Sequence, residues 1–375
     1  MNGRHFFVLA CLMGLPMHGA LAQQQANGPT PPPTPPQSPP QDPNAGSMMT
    51  TQGCRVWPME PLPSATASWD GGCTGGLATG TGTLTVKSGD KQDVYTGPMT
   101  NGKANGHGTL AFYTGNRYDG DWKDGLANGK GTLTFHNGDR YQGDFANGSA
   151  NGEGTVVWAD GSTYTGHWVN SQRSGHGVAK MADGSSYDGD WRADKANGKG
   201  TRTLPNGDRY TGDFQDGKAN GNGIFTWPKG DKYEGHFVND QRSGYGVITL
   251  KAGGGYDGEW LNNLAEGKGT GTWANGNRYE GGWHLNGREG RGTQTWPNGD
   301  IYYGFWHEDK RNGEGAMKFA NGSHYDGSWK DDMAEGNGTY VSSDGRQVSG
   351  VWKKGCYYLN GKFAVAVGAD PQTCK

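Results

Sequence analysis

The stretch YDGDWKDGLANGKGTLTFHNGDR, residues 118–140, decides the fold because the chain keeps returning to it. Its leading Tyr118 has counterparts at 95, 141, 164, 187, 210, 233, 256, 279, 302 and 325, always 23 residues apart. Two residues after each Tyr stands a Gly, from Gly97 and Gly120 to Gly327. Four residues after it most copies carry a large ring, among them Trp122, Phe145, Trp168, Trp191, Phe214, Phe237, Trp260 and Trp329. Eleven and thirteen residues after it come paired glycines, such as Gly129/Gly131 and Gly290/Gly292, and twenty after it another Gly, as in Asn137-Gly138. A fixed period of this length marks an array of stacked repeats.

Each unit is expected to be a β-hairpin. Tyr, Gly and Trp at offsets of two share one face of a strand. The side chain missing at the Gly leaves the flanking rings room to lie on the backbone. A second strand is expected after the paired glycines, as in Thr132-Leu133-Thr134-Phe135, with Asn-Gly or Asp-Gly supplying a tight turn of positive φ. One hairpin alone is marginal, so neighbours must stack to bury the aromatic face.

This pattern resembles the MORN repeat family. The resemblance runs from Tyr95 to Trp352, with Val348, Gly350 and Trp352 forming a degraded last copy. It implies an all-β fold: an elongated, solenoid-like ribbon of about 11–12 stacked antiparallel hairpins. It also implies a non-catalytic role as a scaffold that self-associates or attaches to partner proteins or membranes. The departures lie seven residues after Tyr, where Gly125, Gly148 and Gly217 give way to Ser171, Asp194 and Asp240. A longer period overlies the first, because Tyr118-Asp-Gly-Asp-Trp returns at Tyr187, Tyr256 and Tyr325 with small changes. Duplication of a three-hairpin block accounts for it.

Composition agrees. Gly supplies 70 of 375 residues and the hydrophobic fraction is only 32%, so any core rests on rings. Helical bundles and doubly wound α/β enzymes need aliphatic stripes and tolerate little interior Gly. Collagen is excluded because Gly does not fall at every third place. The net charge of -3 offers no cationic surplus for nucleic acid or anionic lipid.

Outside the array, residues 1–22 read as a signal peptide: Arg4, the apolar run Phe6–Leu15, and cleavage expected after Ala22. Residues 23–46 are Pro-rich and read as an extended spacer. The protein is therefore expected to be secreted or periplasmic. Residues 47–94 and 348–375 read as caps around the array of 95–347. Each holds a cysteine pair, and the expected disulfides are Cys54–Cys73 and Cys356–Cys374, the pairing that avoids closing a loop over the whole array. Structural zinc would want closer Cys-x-x-Cys spacing.

No catalytic constellation emerges. The histidines are scattered over different offsets, no Gly-x-Ser-x-Gly elbow occurs, and the Gly-x-Gly pairs lack a following helix. No metal, cofactor or catalytic residue is expected. The first functional reading is a cell-envelope scaffold for protein partners or self-association. The second is a polysaccharide-binding module, in which Phe135, Trp158, Trp227, Trp273, Trp296 and Phe319 form an exposed ladder. The competing reading makes those six rings part of the core. Lipid binding is the weakest of the three, because the cation surplus is missing.

Overall fold

A computed structural model describes residues 46–59 and 62–374. The expected leader and the Pro-rich spacer up to residue 45 lie outside the described residues. Among the described residues every regular element is a β-strand except a 3-10 turn at Pro371–Thr373. Two compact units make up these residues. The N-terminal one runs to Pro205 and includes Phe214–Lys218, and the C-terminal one comprises Asn206–Asp213 and the chain from Ala219 onward.

Within the repeats of each unit the strands pair antiparallel in chain order. In the N-terminal unit Arg117–Lys123 pairs with Leu126–Thr134, which pairs with Arg140–Ala146, which pairs with Ser149–Val157. The C-terminal unit repeats the scheme, with Lys232–Val238, Gln241–Thr249, Gly254–Leu261 and Leu264–Trp273 in succession. Tyr118 lies opposite Leu133 and Gly120 opposite Gly131, so the two glycines meet.

The strand and turn boundaries differ from the expectation. The second strand starts before the paired glycines and contains them, with a bulge between Ala127 and Gly131. The tight two-residue turn sits six and seven residues after Tyr, where both residues have positive φ: Asp124 and Gly125, Asn170 and Ser171, Ala193 and Asp194, Asn239 and Asp240. That is the type I′ signature. At the expected Asn-Gly turn only the Gly is left-handed, as at Gly138 (φ 97°). There Phe135 N donates to Asp139 O and Gly138 N to Phe135 O. This is a type I turn closed by a glycine bulge, and it joins one repeat to the next.

The tight turn tolerates Ser, Asn and Asp because they are fastened to the preceding repeat. Asp194 N donates to Arg173 O at 3.1 Å, and Asp194 Oδ1 accepts from Arg173 N at 2.9 Å. The same carboxylate or amide oxygen serves Ala219 from Asp240 (2.7 Å), Ala265 from Asn286 (2.7 Å) and Arg311 from Asp332 (2.9 Å). Short side chains that bond locally visit the left-handed region at reduced cost. At the other turn a second column of links joins repeats, where Asp139 Oδ1 accepts from Ala159 N and Asp300 Oδ1 from Ala320 N, both at 2.8 Å.

The core is one layer of rings on one face of each unit. Tyr118 meets Trp122 of its own repeat and Phe145 of the next edge-to-face, at 4.9 and 5.1 Å between centroids. Tyr279 does the same with Trp283 and Trp306 at 5.2 and 5.3 Å. Each such pair contributes about 0.5–1.5 kcal/mol beyond its buried area. The polar ends are satisfied: Tyr118 Oη donates to Asp121 O at 3.0 Å, and Trp122 Nε1 to Gly108 O at 3.0 Å. Burial pushes the phenol of Tyr118 well above its ordinary value. Glycine is required beneath the ring, because a Cβ on Gly131 would lie 2.4 Å from Tyr118 Oη.

Five arginines enter this core. Arg173, Arg242, Arg288 and Arg311 stack on Trp191, Trp260, Trp306 and Trp329, at 4.4, 4.3, 4.0 and 4.3 Å from guanidinium to ring, and Arg202 stacks on Phe214 at 4.9 Å. Three are paired with the carboxylate of the next tight turn, as in Arg288 Nε to Asp309 Oδ1 at 3.0 Å. Arg242 faces Asn263 instead, and its Nε and Nη1 have no hydrogen-bond partner. Burial pulls the guanidinium of Arg242 down to about 10.

Both expected disulfides are present, Cys54–Cys73 and Cys356–Cys374. In the N-terminal unit the strand Leu77–Ser88 sets Leu84 opposite Tyr95 and Gly82 opposite Gly97, as a repeat would. In the C-terminal unit the hairpin of Cys356–Leu359 and Lys362–Ala366 follows the last copy. Its Tyr357 stacks on Trp352 at 5.3 Å and donates from Oη to Ser349 O at 3.0 Å.

Candidate functional site in the outward faces

The alternate positions, one, three and twelve residues after each Tyr, point away from the ring layer and form the outward face of each unit. Nothing in the ring layer constrains them, so their chemistry varies from repeat to repeat.

In the N-terminal unit this face is charged and closed on itself. Asp121, Asp144 and Asp190 stand three residues after Tyr and accept the amide N–H of Lys130, Glu153 and Lys199, at 3.2, 3.0 and 3.0 Å. They thereby cap the amide exposed by the bulge. Lys130 Nζ reaches Asp144 at 2.6 Å and holds its carboxyl below the usual range. His107 lies 3.2 Å from both Asp119 and Asp121, and His167 Nδ1 lies 3.1 Å from Glu153. Such exposed pairs are worth little individually. A cleft of about 850 Å³ on this face is walled by His107, Arg117, Lys130, Arg140 and Glu153.

In the C-terminal unit the face changes character. The amide cap persists at Asp213, whose carboxylate takes Asn222 N at 3.0 Å. Among the described residues, no side chain repeats that cap where Glu259, Gly282 and Phe305 fill the same position. The position twelve after Tyr becomes Tyr245 and the position one after Tyr becomes Tyr303, rings exposed to 63% and 54%. Tyr245 Oη donates to Asp257. Arg291 lies opposite Phe305 and stacks on its ring at 4.7 Å. A cleft of about 760 Å³ has Tyr245 at one side and Tyr303 at the other.

The six rings singled out in the sequence lie elsewhere. They sit two residues beyond core positions such as Leu133 and Val156, on the ring-layer face beside the turn that joins repeats. Phe135 and Trp158 are buried. Trp227, Trp273, Trp296 and Phe319 are half-buried, and Trp227 packs on Phe225 at 4.7 Å. Sequence reasoning missed Tyr245, Tyr303 and Phe305. Their signal was legible as aromatic residues at offsets that other repeats give to charged or small polar groups. Cys54, Cys73, Cys356 and Cys374 serve the caps. No cluster of three or more His, Cys, Asp or Glu placed to hold a metal occurs among the described residues.

A family model described as the MORN repeat matches eleven consecutive segments, from 95–117 through to 325–345. No match was found among curated proteins. Among solved structures, the TCP10 domain of Danio rerio CPAP is 14% identical with a TM-score of 0.30, covering 59% of this chain and 99% of that one. The Drosophila melanogaster SAS-4 TCP domain, solved with a proline-rich motif of Ana2, is 14% identical with a TM-score of 0.27, covering 47% of this chain and 94% of its own.

Proposed function

The chain belongs to the MORN repeat family, and from that membership we propose a non-catalytic interaction scaffold of the cell envelope, presenting its outward faces to protein partners or to further copies of itself. The observation that carries this reading is the division of labour between the two faces. The ring layer spends its side chains on stacking and on links between repeats. The outward positions take no part in that layer and differ between repeats, as recognition surfaces do. Export is supported by the leader read in residues 1–22 and by the two disulfides, which persist in oxidising compartments.

The test uses the full chain with a C-terminal tag in its native host. Cell fractionation should recover it outside the cytoplasm. Crosslinking followed by affinity purification should recover a defined protein partner or a homo-oligomer, and charge reversals at Arg117, Lys130 and Arg140 should reduce that recovery. A chain that stays cytoplasmic, or that is strictly monomeric by light scattering and captures nothing, would end this reading.

A further inference from the structure

We propose that the cleft between Tyr245 and Tyr303 is a binding site for an uncharged oligosaccharide. The site goes beyond the protein-partner reading and does not depend on it.

The aromatic residues are placed as a site and not as scatter. Position twelve after Tyr holds His107, Lys130, Glu153, His176 or another polar residue in every repeat except one, where it is Tyr245. Position one after Tyr is polar in every repeat except one, where it is Tyr303. Both exceptions border the same cleft. A Tyr ring lying on a wet surface offers a flat apolar face with a polar rim, which suits the C–H face of a pyranose.

Between the two rings the floor is bare. Gly258, Gly269, Gly281 and Gly292 are shared with other repeats, but Gly282 stands where other repeats carry a carboxylate, an imidazole or another side chain. Gly282 lies opposite Lys268, and a Cβ there would stand 2.3 Å from Glu289 O, so the glycine lets the backbones close up and leaves no side chain standing between Lys268 and Arg291. The volume of about 760 Å³ falls within the range of small-ligand sites, roughly 300–1,000 Å³.

The charges select against ions of either sign. Asp257, Glu259, Glu280 and Glu289 line the cleft together with Lys268 and Arg291. An anionic polymer or lipid headgroup meets four carboxylates, and a polycation meets two cations. Hydroxyl groups both donate and accept, so a neutral sugar satisfies both sets without burying an unpaired charge.

The experiment is calorimetric titration of the full chain with neutral hexasaccharides of glucose, mannose and N-acetylglucosamine, beside a hexagalacturonate and a Lys/Pro-rich peptide. At least one neutral hexasaccharide should bind. Tyr245→Ala and Tyr303→Ala should each weaken it roughly tenfold, about 1.4 kcal/mol, with the unfolding midpoint unmoved. Lys130→Ala in the N-terminal unit should leave it unchanged. Three outcomes overturn the proposal: no neutral hexasaccharide binds at millimolar concentration, binding survives both Tyr substitutions, or only the charged probes bind. None of the three touches the scaffold reading, which rests on partner capture.

Discussion

The two units each carry the same kind of ring layer and part company on the outward face. Around Tyr118 the outward side chains are carboxylates, imidazoles and lysines that bond one another and cap the bulge amide. Around Tyr256 and Tyr279 the bulge-amide cap lapses, and exposed rings and glycines stand among pairs such as Tyr245–Asp257 and Arg278–Glu280. The same backbone supports both, because Tyr, Trp and the paired glycines do the structural work on the other face. Stability and recognition are therefore encoded at interleaved positions, one residue apart, and either can change without the other.

Adjacent residues give the sharpest break in that comparison. Tyr302→Ala removes a fully buried ring from the layer and should cost about 3–5 kcal/mol. Tyr303→Ala, on the other face, should stay within about 0.5 kcal/mol. Urea unfolding of both variants checks this, and similar losses would show that the outward face also carries stability. A smaller effect is expected at the glycines. Gly131→Ala in one unit and Gly292→Ala in the other should each lose about 2–3 kcal/mol, because the added Cβ would lie 2.4 and 2.2 Å from Tyr118 Oη and Tyr279 Oη. Unequal losses would mean that the two ring layers are not equivalent.

Within the C-terminal unit, Asn263→Asp should give Arg242 the carboxylate that Asp309 gives Arg288, raising stability by about 1–2 kcal/mol. Asp309→Asn should lower it by a similar amount. The thermal midpoints of the two variants should move in opposite directions.

The smallest effect concerns protonation. Glu266 bonds His284 at 2.9 Å and Glu289 bonds His307 at 3.1 Å, which raises both imidazoles above their ordinary value. Their contribution to stability is therefore present below the unfolded imidazole value of about 6.5 and is lost as pH rises through the folded value. NMR titration should show both midpoints falling in Glu266→Gln and Glu289→Gln respectively.

Much of the fold was legible in the sequence because the signal is periodic and the ring spacing of two fixes a face. The turns were not. Asn137-Gly138 carries the strongest local hairpin signal, yet the two-residue turn belongs to pairs that run from Asp124-Gly125, which carry the same signal, to Ala193-Asp194, where only the Asp tolerates positive φ readily. What holds them there is a bond to Arg173 in another repeat, 21 residues back, and local propensity carries no trace of it. The exposure of individual rings was not legible for a related reason. Whether Trp158 or Tyr245 faces water depends on which side of the sheet its strand presents, and the bulge that sets this lies between the alanine or arginine after the tight turn and the second of the paired glycines, as at Ala150/Gly154 and Arg242/Gly246.

The links between repeats have an evolutionary corollary. Each tight turn finishes the repeat before it, with a reach of 21 residues in every case where the bond is made by Ser171, Asp194, Asp240 or Asp332. The C-terminal cap keeps the same arithmetic: Gly355 N donates to Ala334 O, and Val367 O takes the Ala334 amide in place of the missing side chain. A gain or loss of whole 23-residue copies inside a unit therefore creates no new kind of junction. Copy number becomes a quantity that tandem duplication can adjust, while any insertion of another length breaks two columns of bonds at once.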